Sequence, residues 1–207
     1  LPKEFIPLWN GAERSPEYTN AMRYLKRRDI TQREILKYGI GYCEEGLYRY
    51  RIIIPSYTND GTLNYFVGRD YYGGSMKYKN PRVSKDVVGF ESMIDWNQPV
   101  ILCEGVFDAI AIKRNAIPLF RKTLPPQLLK RLVQHKVKKL YLILDSDAQK
   151  DSMKIVDKLK SYQIDVNMIT LKDKDPSELG FEKTINLIKQ TKDSLSFSDI
   201  MKMKLGA

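Results

Sequence analysis

Helical spacing marks the start of this chain, and short apolar runs punctuated by Gly, Pro and Asn mark most of its remainder. Tyr18, Ala21, Met22 and Leu25 recur at steps of three and four, which predicts a helix. Thr31 is placed to cap a second helix carrying Ile35 and Leu36, and the helical reading runs to Tyr42. Tyr50–Pro55 and Leu63–Arg69 then read as strands, with Asn59-Asp60-Gly61 between them as a hairpin turn. From Pro99 the pattern changes. Val100–Cys103, Ile117–Leu119, Leu140–Leu144 and Val166–Leu171 are short buried strands, with helices predicted near 106–114, 125–135 and 147–161. Strand–helix alternation of this kind implies a parallel sheet covered by helices. The fold class is therefore α/β in three parts. An α+β part spans 1–98, an α/β part with a mainly parallel sheet spans 99–180, and a helical segment spans 181–207, where Ser196 can cap a short helix ending at Leu205.

Composition narrows the partners. The 207 residues are 43% hydrophobic and 29% charged, ordinary for a globular protein, and no apolar run reaches the about 20 residues that span a membrane. Cys43, Cys103 and a lone His135 are too few ligands for a structural zinc site, so no zinc is expected within this chain. Two widely spaced cysteines fit a reducing cytoplasm, and His135 reads as a partly exposed helix residue. The formal net charge of +10 points to a polyanion. Between Ala109 and Leu144 there are basic residues and no acidic one. From Gly61 to Lys85, Arg69, Lys77, Lys79, Arg82 and Lys85 face only Asp70, interleaved with Tyr71, Tyr72 and Tyr78, a pattern suited to tracking a nucleic-acid backbone with stacking rings.

Three acidic groups come directly after predicted strands of the parallel sheet, where functional side chains gather in α/β folds. Glu104 ends Val100-Ile101-Leu102-Cys103, with Gly105 behind it and Asp108 one helical turn on. Asp145-Ser146-Asp147 comes after Leu140–Leu144, and Lys174-Asp175-Pro176 after the strand ending at Leu171. Gathered carboxylates repel one another, and a hard divalent cation, Mg²⁺ or Mn²⁺, relieves that repulsion. Each element alone is weak, and Asp-x-Asp after a strand also opens phosphatases of the haloacid dehalogenase type, although Ala148-Gln149 does not supply the Thr or Val that those carry. The ordered set is more specific.

That ordered set resembles the Toprim domain of DnaG-type primases, topoisomerases and certain nucleases. The upstream half is similar to the basic subdomain of DnaG primase cores, through Arg51-Ile52-Ile53-Ile54-Pro55, Phe66-Val67-Gly68-Arg69 and Lys77-Tyr78-Lys79-Asn80-Pro81. The segment from Tyr24 to Tyr42 resembles the helical lead into such cores, and the likeness looks nearest to the short primases of tailed bacteriophages. The resemblance implies catalysis by Glu104, Asp145 and Asp147, with Asp108 and Asp175 joining them as ligands to two or more Mg²⁺ or Mn²⁺ ions. It also implies that Arg51, Arg69, Lys77, Tyr78 and Asn80 bind nucleic acid or nucleoside triphosphate. Bacterial relatives carry a glycine-rich turn where this chain reads Pro118-Leu119-Phe120-Arg121-Lys122-Thr123, and Lys122 is the expected phosphate ligand there. The implied activity is synthesis of short RNA primers on single-stranded DNA from ribonucleoside triphosphates, in the cytoplasm (the host's, if phage-encoded). The implied partners are a replicative helicase and a zinc-binding module, carried in an N-terminal region or by another protein. A Toprim nuclease explains the acids but not the Arg69–Lys77 segment, and a single-strand-binding scaffold explains the charge but not the acids.

Overall fold

The computed structural model describes residues 1–10, 15–144, 149–170 and 176–190. The chain divides into two compact units, Leu1–Ser84 and Lys85–Ala207.

In the first unit, the short strand β1 (Ile6–Pro7) precedes helices α1 (Pro16–Arg27) and α2 (Gln32–Lys37). The Ser15 hydroxyl accepts the Tyr18 N–H at 2.9 Å, and Pro16 sits in the first turn, where its missing N–H costs nothing. Glu34 closes the start of α2 by accepting the Thr31 N–H at 3.0 Å. Strands β2 (Gly41–Cys43), β3 (Arg51–Tyr57) and β4 (Leu63–Asp70) complete an antiparallel sheet of order β1-β2-β3-β4. Ile52, Ile53 and Ile54 are fully buried, so β3 is covered on both faces, with Ile53 packed against Cys43 and Phe66. Pro55 is tolerated in this central strand because β2 pairs only with Arg51–Ile53, leaving no ladder partner for a Pro55 N–H. The hairpin turns where expected. Gly61 takes φ +82°, and the Thr58 N–H donates to the Thr62 carbonyl at 2.9 Å.

The second unit is built on β5 (Val100–Cys103), β6 (Ala116–Pro118), β7 (Lys139–Leu144) and β8 (Asp165–Thr170), all parallel, in the order β6-β5-β7-β8. Helices α3 (Val106–Ile112), α4 (Pro126–Gln134) and α5 (Gln149–Lys160) connect the strands, and α6 (Pro176–Leu179) and α7 (Phe181–Gln190) come after them. On one face, Leu102, Leu142 and Val166 pack with Leu128 and Leu132 of α4 and Val156 and Leu159 of α5. Helix α3 packs against β5 and β6 and also against α6 and α7, which buries six of its seven residues.

The division at Ser84 precedes the boundary at residue 98 drawn from the sequence, because the intervening segment packs on the parallel sheet. Val88 is buried in the sheet's core, with Ile94 and Trp96 against it. The buried Glu91 carboxylate receives the Arg131 Nε of α4 at 2.6 Å. His135, exposed at the end of α4, stacks on Trp96 with ring centroids 4.7 Å apart. Strand β2 occupies Gly41–Cys43, where the helical reading of the sequence extends to Tyr42. The predicted helix from Ser196 lies outside the described residues.

Leu132 is fully buried between α4 and the sheet. Leu132→Ala is expected to lower stability by about 2–5 kcal/mol, read as a lower urea midpoint at unchanged m-value.

Candidate active site and nucleic-acid interface

The second unit reverses its strand order beside β5. The β5–β6 connection moves to one side of β5, and the β6–β7 connection returns past β5 to the other. In open parallel sheets the crevice at the carboxyl ends of the strands, at such a reversal, is where ligands bind. Glu104 is the first residue beyond β5 at that edge, half-buried. Cys103 pairs with Ile143, so β7 ends at Leu144 alongside Glu104, and Asp145 is the next residue in sequence. Glu104 thus stands beside the end of β7.

Asp108 does something more local. It is buried, and its Oδ2 accepts the Gly105 N–H at 3.0 Å, closing the first turn of α3 directly behind Glu104. The carbonyl of Glu104 accepts the Phe120 N–H at 3.1 Å, which fastens the turn after β6 to the same edge. Phe120 takes φ +57°, a left-handed conformation that glycine adopts without cost, and the Lys85 ammonium donates to its carbonyl at 3.0 Å. Lys122 lies half-buried on this turn beside Arg121. Asp145, Asp147 and Asp175 lie outside the described residues, and among the described residues no three of His, Cys, Asp and Glu come together.

The basic cluster belongs to the first unit. Residues 77–79 run antiparallel beside β4. The Asp70 N–H donates to the Lys77 carbonyl at 3.1 Å, the Lys79 N–H donates to the Gly68 carbonyl at 2.8 Å, and Arg69 is bridged to Tyr78. A Cβ at position 68 would lie 2.4 Å from the Lys79 carbonyl oxygen, so this close approach requires glycine. Across the bridge, the Arg69 guanidinium lies 4.8 Å from the centroid of the Tyr78 ring and 5.5 Å from that of Tyr24 on α1. Arg28, four residues along from Tyr24, lies 5.3 Å from the same ring and donates from Nε to its hydroxyl at 2.8 Å. Lys77 lies 5.9 Å from the Tyr78 ring. Burial pushes the Tyr78 phenol above its ordinary range, and the nearby Arg69 charge opposes that shift.

Arg69, Lys77 and Tyr78, singled out in the sequence, thus come together. Tyr24 and Arg28 join them unforeseen, although their spacing of four on a predicted helix is a signal that would have found them. Arg51 and Asn80 are engaged locally. Arg51 Nη1 donates to the Met76 carbonyl at 3.0 Å, and Asn80 Oδ1 accepts the Gly68 N–H at 3.3 Å. The expectation that Tyr71 is a stacking ring fails, because its side chain is buried at 9% exposure, whereas Tyr72 and Tyr78 are 56% and 42% exposed. No helix among the described residues is long and apolar enough to cross a membrane.

No family model matches the chain. It is 31% identical over 166 residues to the uncharacterized protein MG010 of Mycoplasma genitalium, covering 74% of this chain and 73% of that protein. The chain belongs to the MG010 family.

Among solved structures, this MG010-family chain is similar to a DNA primase domain from Pseudomonas aeruginosa, with a TM-score of 0.76 at 19% identity, covering 95% of this chain and 79% of that one. It is likewise similar to a DnaG primase catalytic domain bound to single-stranded DNA, with a TM-score of 0.74 at 16% identity, covering 88% and 77% of the two chains. At these identities the likeness is one of fold. The MG010-family chain has the mixed α/β fold of DnaG primase catalytic cores.

The geometry sets two expected outcomes. Gly68→Ala is expected to cost about 1–3 kcal/mol, because a backbone carbonyl must move, and to speed hydrogen exchange at the Lys79 amide. Asp108→Ala is expected to lose about 0.5–2 kcal/mol of stability in EDTA, since its bond to Gly105 needs no metal. An unchanged unfolding midpoint in EDTA would show that this hydrogen bond does not support the helix start.

Proposed function

We propose that this chain is a DnaG-like primase core of Toprim type, which makes short RNA primers on single-stranded DNA by divalent-metal-assisted nucleotidyl transfer. The observation that carries the reading is Glu104 at the strand-order reversal of a parallel sheet, with β7 ending beside it and running into Asp145. Carboxylates at these two strand ends would form an all-oxygen donor set, which suits Mg²⁺ or Mn²⁺ rather than a softer ion. Glu104, Asp145 and Asp147 are the proposed ligands and catalytic groups, with Asp108 and Asp175 as further ligands. Asp108 also holds the Gly105 turn and so the direction of Glu104. When bound, such ions lower the pKa of a primer 3′-hydroxyl and offset the charge of a pyrophosphate leaving group.

The rest of the work falls to the chain itself. The 3′-oxygen forms a bond to the α-phosphorus of the incoming ribonucleotide, and the bond from that phosphorus to the pyrophosphate breaks. Arg69 and Lys77 would neutralise phosphates of the template or the triphosphate, Arg with a planar fork and Lys as a point charge. Tyr78 orients Arg69 by lying under its guanidinium. Arg51 and Asn80 hold the loop and the 77–80 segment on which Lys77 and Tyr78 stand. Lys122 is the proposed phosphate ligand on the turn fastened to Glu104. Single-stranded DNA and ribonucleoside triphosphates are the proposed substrates. A replicative helicase and a zinc-binding module are the proposed partners, and the cytoplasm is the proposed compartment. The phage-like motifs remain part of this reading, while the MG010 relative belongs to a mycoplasma.

The chain is tested with single-stranded templates, labelled ribonucleotides and Mg²⁺ or Mn²⁺, beside an Asp145→Ala/Asp147→Ala variant. Short ribo-oligomers from the wild type and none from the variant are expected. Degraded template without oligomers would replace this reading with a Toprim nuclease. Failure to extend even after a zinc-binding module is added would end the primase proposal.

A further inference from the structure

A second aromatic cluster stands on the first unit, apart from the rings around Arg69. Tyr50 and Tyr72 stack with centroids 4.5 Å apart and planes 30° from parallel. The Arg49 guanidinium lies 4.3 Å from the Tyr50 ring centroid. The result is a cation and two rings in contact, and Tyr72 is 56% exposed to solvent.

The backbones at both rings are fixed by hydrogen bonds. Tyr50 takes φ +61°, a left-handed conformation that a bulky residue rarely adopts. It is fixed there by its N–H on the Cys43 carbonyl at 2.9 Å and by the Tyr71 N–H on its own carbonyl at 3.2 Å. Asp70 fixes Tyr72, accepting its N–H at 3.1 Å on one oxygen and the Gly74 N–H on the other. The left-handed backbone at Tyr50 sets its ring behind Tyr72, and the exposed Tyr72 ring offers a surface for a flat partner. The charges around it select the kind. Arg49, Arg51, Lys77 and Lys79 stand in or beside β3 and β4, the Glu17 and Glu44 carboxylates act on the adjacent Tyr71, and Asp70, at the end of β4, has both oxygens committed to the turn. An exposed aromatic face backed by a ring that carries a guanidinium suits a nucleobase.

We propose that Tyr72, backed by Tyr50 and Arg49, is a stacking subsite for one unpaired base of a single-stranded nucleic acid. The subsite gives Tyr72, one of the rings interleaved with the basic cluster, a defined role with Tyr50 and Arg49, and rests on the reading of this unit as a single-strand-binding surface. Tyr72 receives the base on its exposed face, Tyr50 sets the orientation of Tyr72, and Arg49 strengthens the stack by its charge on the Tyr50 ring. Because no phosphate is touched, the subsite adds affinity without adding to the salt dependence.

The test is fluorescence anisotropy of a labelled dT oligonucleotide with the full chain, its Tyr72→Ala and Tyr72→Phe variants, and an oligonucleotide of the same length carrying abasic sites. Tyr72→Ala is expected to weaken binding roughly 5- to 100-fold with an unchanged slope against salt, and Tyr72→Phe to keep affinity within about twofold. The abasic strand should bind the wild type more weakly, and Tyr72→Ala should weaken it no further. Circular dichroism and the unfolding midpoint check that Tyr72→Ala is folded, as its exposure predicts. Wild-type affinity in Tyr72→Ala overturns the subsite and leaves the single-strand surface standing. A loss equal on abasic and normal strands also overturns it. No binding of any single strand by the wild type overturns both.

Discussion

The parallel sheet of the second unit is covered by helices, and this burial decides where its chemistry can stand. Val100, Leu102, Leu140, Leu142 and Val166 have no exposure to solvent. An ionised carboxylate placed among them would lose its hydration without a partner, at a cost that stability on the scale of a single domain cannot absorb. Acids can therefore appear only where strands end. The order β6-β5-β7-β8 then selects among those ends, because only between β5 and β7 do successive connections part and leave a crevice. Glu104 and the end of β7 stand there for the same reason that the strands themselves are apolar. Strand, burial and site are one argument.

The first unit handles charge differently. The contacts made there by Arg69 and Lys77 are to aromatic rings, not carboxylates. A salt bridge would offset a cation's charge, whereas a ring face orients the cation and leaves that charge available to an incoming anion. The arrangement depends on Gly68. Any side chain there would push away the Lys79 carbonyl, and with it the bridge that sets Tyr78 against Arg69. Gly68, Arg69 and Tyr78 are thus coupled through a backbone approach and not merely near one another in sequence.

How much of this was legible depends on which forces act locally. The strands of the parallel sheet were readable because burial on both faces makes them continuous apolar runs, and their observed limits fall within a few residues of the apolar stretches. The hairpin at Asn59-Asp60-Gly61 was readable because Gly61 supplies the positive φ that the turn requires. Strand β2 was not, since Gly41-Tyr42-Cys43 is too short to show alternation and owes its conformation to pairing with β3. In the site, position was legible and local role was not. Asp108 sits in an acidic pattern, yet its hydrogen bond to Gly105 is set by helix geometry. Tyr71 and Tyr72 are adjacent and chemically identical, yet in the bend after β4 one ring is buried and the other exposed, with the Tyr71 N–H on the Tyr50 carbonyl and the Tyr72 N–H on Asp70. The meeting of Arg69 with Tyr24 is tertiary, and no local pattern around Arg69 announces it.

A fold shared at 16–19% identity leaves function to the side chains mounted on it. The turn after β6 shows a non-glycine residue meeting a backbone requirement that glycine meets without cost. Phe120 occupies a left-handed conformation at the place where the resemblance to bacterial primases leads one to expect glycine. The conformation is the one that lets the Phe120 N–H reach the Glu104 carbonyl while Lys85 holds the Phe120 carbonyl. Two hydrogen bonds, one of them charge-assisted, offset the strain of a side chain at positive φ, which is of order 1–2 kcal/mol. Phe120 thus sets the turn's path and its hold on Glu104. The turn also carries Arg121 and Lys122, so the edge that bears Glu104 meets cations arriving from β6. The Glu104 carboxylate and the Arg121 and Lys122 cations thus follow the carboxyl ends of neighbouring strands, β5 and β6, of one sheet.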